Sequence, residues 1–135
     1  MFSCKSIEST SSGHIVKFES CFVNKDDGNY GNHPMNIGTG KFTAPKEGFY
    51  EFHFYGNGYR GEDTSIEVLV NGITQLTSFL DADSNNRNDF LQLSFHCILH
   101  LGKDDNIQLQ VVTGKLWAHD ELESVFTGKL VQKMK

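Results

Sequence analysis

Any chemistry in this chain must come from three loops and a few histidines. Residues 80–89 read Leu-Asp-Ala-Asp-Ser-Asn-Asn-Arg-Asn-Asp and gather the carboxylates of Asp81, Asp83 and Asp89 among amide oxygens. Calcium takes roughly six to eight oxygen ligands of this sort, although a solvated polar turn has the same composition. The spacing is not that of a helix–loop–helix calcium hand, because no Gly-x5-Glu follows. Residues 115–123 hold the single tryptophan, Trp117, beside His119 and Asp120. A ring next to polar acceptors suits sugar stacking and hydrogen bonding, and a tryptophan plugging the base of its loop fits equally well. Residues 56–63 carry Tyr59 and Arg60, natural partners for an anionic group. A nucleophile elbow Gly-x-Ser-x-Gly, a His-Glu-x-x-His pair and a phosphate-cradling Gly-Lys-Ser/Thr loop are all missing from the sequence. His96 and His100 are four apart on a strand, about 13 Å at the usual rise, too far to share one metal. The chain therefore reads as noncatalytic.

The elements that must position these loops follow from length and patterning. At 135 residues the chain fits one domain. Its 11 Phe and 4 Tyr supply too much apolar bulk for a disordered segment. A net charge of −5 argues against nonspecific nucleic-acid binding, which needs surplus cations to neutralise phosphates. No apolar run reaches the roughly 18–20 residues that span a bilayer, so no membrane insertion is expected.

Period two dominates. Leu91, Leu93, Phe95, Cys97, Leu99 and Leu101 alternate with Phe90, Gln92, Ser94, His96, Ile98 and His100, the mark of a strand with one buried face. The same alternation sets Tyr50, Phe52 and Phe54 against Glu51, His53 and Tyr55. It also selects Ile66, Val68 and Val70, then Ile107, Leu109 and Val111, and finally Phe126 and Leu130. Asn71–Gly72 between Val70 and Ile73 predicts a two-residue hairpin. About eight to ten short strands and no helix are expected, a sandwich or a barrel. Residues 1–13 read as a flexible leader, leaving 14–135 as the globular domain. Parity from Val16 through Phe18 to Phe22 turns Cys21 away from the core, while Cys97 faces it. A Cys21–Cys97 bridge is thereby disfavoured, and Cys4 reads as a free thiol in the leader, with an interchain bridge as the alternative.

The stretch from Thr39 to Phe54 resembles the signature of the complement C1q globular-head family: Phe42, five residues, then Gly48-x-Tyr50-x-Phe52-x-Phe54. Leu101 to Leu109, with its acidic turn, and the closing Ser124-x-Phe126-x-Gly128-x-Leu130 are similar to later landmarks of that family. The resemblance implies an all-β fold, an antiparallel two-sheet jelly-roll sandwich shared with tumour necrosis factor ligands. It implies a secreted, extracellular, stalkless recognition module of innate immunity. Such a module would be a lectin-like pattern receptor for microbial surface glycans or other polyanions, or a cytokine-like or structural ligand for a protein receptor. In some members acidic residues of the corresponding loop hold calcium, which makes Asp81 and Asp89 the candidate metal ligands. Tyr59, Arg60, Trp117, His119 and Asp120 are the candidate ligand-binding residues.

The resemblance also implies a homotrimer. The sequence adds its own hint, because Phe90, Ile98, Tyr55, Leu69, Val112, Val125 and Val131 all take outward parity, and an apolar surface of that extent marks an interface. Glu51, His53, His96 and His100 share that parity. If His53 and His96 lie near a threefold axis, protonation near pH 6 is expected to set like charges together and weaken the trimer.

Overall fold

The computed structural model describes residues 1–26, 31–59, 62–80 and 90–134. Its strands are β1 (Phe2–Ser6), β2 (Thr10–Ser11), β3 (Ser20–Asn24), β4 (Met35–Asn36), β5 (Lys41–Thr43), β6 (Gly48–Tyr59), β7 (Thr64–Val70), β8 (Ile73–Leu80), β9 (Phe90–Leu101), β10 (Asn106–Thr113), β11 (Lys115–Leu116) and β12 (Ser124–Lys133). A first sheet runs in the order β3-β1-β12-β6-β9 and a second in the order β4-β5-β10-β7-β8. All their pairings are antiparallel. A short β11-β2 ribbon closes one end.

The apolar alternation fills the space between the sheets. Tyr50, Phe52, Phe54 and Phe126 from the first sheet and Phe42, Ile66, Val68, Ile107, Leu109 and Val111 from the second are buried in one cluster. Burying each such ring or branched side chain is worth roughly 1.5–3 kcal/mol. Phe42 reaches across the sandwich to Phe2, Tyr50 and Phe52, with ring centroids 5.0, 5.6 and 5.8 Å away. Tyr50 also fixes the backbone, since its hydroxyl donates to the Lys46 carbonyl at 2.6 Å and pins the turn before β6. Burial pushes its pKa up. The hairpin at Asn71–Gly72 forms as expected, with both residues at positive φ, 52° and 80°, the geometry whose twist matches the flanking strands.

Three readings of the N-terminal third are corrected. The expected leader over 1–13 is not outside the fold. Phe2 and Cys4 are fully buried, and β1 lies inside the first sheet between β3 and β12. The closing motif explains why it fits: a Cβ on Gly128 would collide with the rings of Phe2 and Phe52, so the glycine makes room for them. Cys4 is neither free nor an interchain link, since it forms a disulfide with Cys21. Phe22, expected inside, is 70% exposed. The physical cause lies upstream: the chain bends at Glu19 before β3 starts at Ser20, so Cys21, opposite the buried Cys4, packs against the core in place of Phe22. Cys97 keeps its expected inward place as a half-buried thiol whose pKa burial raises.

Candidate functional site

Strand direction collects the strand ends that flank the expected loops at one end of the sandwich. There β6 ends at Tyr59, β7 begins at Thr64, β8 ends at Leu80, β10 ends at Thr113 and β12 begins at Ser124. The segment from β10 to β12 is anchored first by Leu116, fully buried and paired with Thr10. Next comes Trp117, whose backbone N–H donates to the Asn57 carbonyl at 2.8 Å. Ala118 N–H then donates to Ser9 Oγ at 2.9 Å. These ties hold the half-buried Trp117 ring beside that of Tyr59, 5.6 Å between centroids at 44°. Lys115 Nζ lies 4.2 Å from the centroid of the indole, within the range of a cation–π contact.

His119 and Asp120 are exposed on the tight turn that follows. Reciprocal backbone hydrogen bonds between His119 and Leu122 close it, and Glu121 N–H donates to His119 Nδ1 at 3.1 Å. The structure thus brings Tyr59 and Trp117 together, adds Lys115, which sequence reasoning passes over, and sets His119 and Asp120 on the adjoining turn. Arg60, Asp81 and Asp89 lie outside the described residues.

A second constellation sits on the outer face of the first sheet. His53 and His96 stand directly opposite each other on β6 and β9. Their rings stack at 4.2 Å and 21°. Glu51, two residues earlier on β6, accepts a hydrogen bond from His96 Nε2 at 3.0 Å. Its other oxygen lies 3.8 Å from His53 Nε2 and 3.5 Å from Lys129 Nζ. The His96 hydrogen bond, with help from Lys129, holds the Glu51 carboxyl below the ordinary carboxylate range. One donor atom from each of Glu51, His53 and His96 falls within 4.8 Å of the others. Parity puts these residues on one face, but only the strand register brings them to one point. Among the outward apolar residues, Tyr55, Ile98, Val112 and Val131 are exposed as expected, whereas Leu69 is buried next to a register shift between Val68 and Leu69.

Known structures share this architecture. The globular domain of zebrafish complement 1qA superimposes with a TM-score of 0.73 at 21% identity, covering 98% of each chain. Eiger TNF from S. frugiperda gives 0.66 at 12% identity, over 99% of this chain and 93% of that one. Murine APRIL gives 0.61 at 8% identity, over 98% of each. No curated protein sequence matches the chain significantly. The C1q domain family model matches residues 1–131, a span that takes in β1 and the closing strand alike, and the chain belongs to the C1q domain family.

Proposed function

We propose that this protein is a secreted, noncatalytic recognition module of innate immunity that works as a homotrimer and binds microbial surface glycans or other polyanions at the Tyr59–Trp117 end. The observation that carries the reading is the ring pair with a lysine ammonium laid on the indole. Rings offer a sugar apolar faces, and the ammonium complements a carboxylate, sulfate or phosphate substituent. Lys115 covers one side of the indole, so an anionic glycan suits the site better than a neutral one. The Cys4–Cys21 disulfide supports secretion, because such bonds persist mainly in oxidising compartments. Family membership and the apolar outer face of the first sheet support the trimer. Asp81 and Asp89 are proposed as calcium ligands, to be tested by calorimetric titration of calcium into the double alanine variant.

The test of the glycan reading is an array of neutral, sulfated and uronic-acid glycans probed with wild type, Lys115→Gln and Trp117→Ala. Binding confined to anionic glycans, weakened more than about tenfold in both variants, is expected. Equal binding by all three proteins rejects the site. A single protein receptor with no glycan signal favours a cytokine-like ligand, the role suggested by the fold's likeness to Eiger TNF and murine APRIL.

A further inference from the structure

We propose that Glu51, His53 and His96 form a binding site for a late first-row divalent transition ion of the zinc class on the outer face of the first sheet. Two imidazole nitrogens and one carboxylate oxygen are a donor set that suits zinc, cobalt, nickel or copper, whereas calcium and magnesium take oxygen ligands. The donor atoms lie within 4.8 Å of one another. Bonds of about 2.0–2.1 Å in a tetrahedral site put donors roughly 3.3 Å apart. His96 Nε2 and Glu51 Oε2 are already at 3.0 Å and His53 Nε2 and Glu51 Oε1 at 3.8 Å, so small side-chain rotations complete the set.

The backbone needs no adjustment. All three residues project from β6 and β9, two neighbouring strands paired residue for residue from Gly48–Leu101 to Tyr59–Phe90. A site on paired strands is held more rigidly than one on a loop. In the single chain the histidine side chains are 56% and 50% exposed, so the ion has a path in before assembly and its fourth position is open to water or, in the trimer, to a group of the neighbouring chain. Lys129 opposes the ion: it stands opposite Glu51 in the register and pairs with its Oε1. Its side chain is 53% exposed in the single chain, so it turns away from Glu51 when the ion enters. The proposal stands on one chain's own residues and is independent of the glycan reading.

The nearby His100–Glu47 pair, 3.1 Å apart on the same face, offers one imidazole and one carboxylate and serves as an internal control. The experiment uses the full chain without a polyhistidine tag, at pH 7.5. Zinc is titrated calorimetrically, cobalt is followed by its visible absorption, and calcium is the comparison ion. One zinc per chain is expected, with intense tetrahedral cobalt bands and no competition from calcium in large excess. His53→Ala and His96→Gln each weaken zinc more than about tenfold, while His100→Gln leaves it unchanged. Lys129→Met tightens it several-fold by removing the competing charge. The exposed positions of these side chains keep the variants folded, which circular dichroism checks. The absence of zinc uptake overturns the proposal. So does one ion per three chains, affinity untouched by both histidine variants, or loss on His100→Gln equal to that on His96→Gln. An ion-pair network alone predicts the first of these results.

Discussion

The two outer faces of the sandwich follow different rules. On the second sheet the central strands present polar groups, and these are tied down. Gln108 donates to the Thr39 carbonyl, Gln110 to the Gly13 carbonyl, and Thr74 to Glu67. Its exposed apolar residues, Ile73, Phe79 and Val112, lie towards strand ends. The first sheet exposes Phe22, Phe49, Tyr55, Ile98 and Val131 across four strands, with the Glu51–His53–His96–Lys129 cluster among them. A face satisfied by its own hydrogen bonds asks for nothing further. A broad apolar face enclosing a polar cluster is what an interface looks like before its partner arrives. The same alternating pattern built both sheets, so the difference lies wholly in the residues pointing away from the core.

The largest expected effect breaks this contrast directly. Ile98→Asp with Val131→Asp places charges where an interface must be dry. The variant is expected to fall from a trimer, three times the 15.2 kDa chain, to a single chain by light scattering at pH 7.5, with assembly weakened more than about a hundredfold. The matched pair Phe79→Asp and Val112→Asp on the second sheet is expected to leave the mass unchanged. Wild type already monomeric at micromolar concentration, or equal dissociation by both pairs, would remove the distinction between the faces.

A smaller effect sharpens the contrast at one sheet's edge. Cys4→Ala with Cys21→Ala opens a crosslink of sequence separation 17 and is expected to cost about 3 kcal/mol in urea unfolding. Amide exchange should rise in β1 and β3 and stay unchanged in β7 and β10. Equal acceleration throughout would mean that the two sheets open as one unit.

The smallest effect concerns the turn that carries the chain from the first sheet to the second. Asp105 accepts hydrogen bonds from the Asn71 side chain and from Gly102 N–H, at 3.0 and 2.7 Å. The Asn71 bond, then the Gly102 bond, hold its pKa below the usual 3.8. The carboxyl therefore binds its proton less readily folded than unfolded. Its contribution is complete above that unfolded value and is lost as pH falls through the folded one. Asp105→Asn should lower stability at pH 7 by at most about 1 kcal/mol and flatten the acid limb of the thermal stability curve. An acid limb identical to that of wild type would assign the acid loss to other carboxylates.

Much of the fold is legible in the sequence because its physics is local. Six alternating residues in β9 dictate a one-faced strand whatever the neighbours, and Asn71–Gly72 dictates its hairpin. What escapes is set by distant partners. In β1, Phe2 and Cys4 alternate with Ser and Lys, a pattern too short and too polar to announce a buried strand, and its burial depends on the space above Gly128 more than a hundred residues later. Phe22 escapes because a bend at Glu19, just before an edge strand begins, reverses parity without leaving a trace in composition. The sites divide the same way. Tyr59 and Trp117 can be named from residue type, but the lysine laid on the indole cannot. Glu51, His53 and His96 are visible as residues of one face, yet their meeting depends on the pairing of two strands more than forty residues apart.

The pairing of β1 with β12, Phe2 opposite Gly128, has a consequence for how the protein is made. During synthesis β1 leaves the ribosome long before the strand it must lie against exists. Sheet two is in the opposite position, since β7 and β8 adjoin through a two-residue turn and β10 follows soon after. Contacts between distant parts of a chain are slow to form because the intervening loop must be closed first. The second sheet therefore has the means to assemble while the chain is still growing. β1 and β6 lack the strand that lies between them until the last strand is released, and in that interval the nascent protein most needs a chaperone.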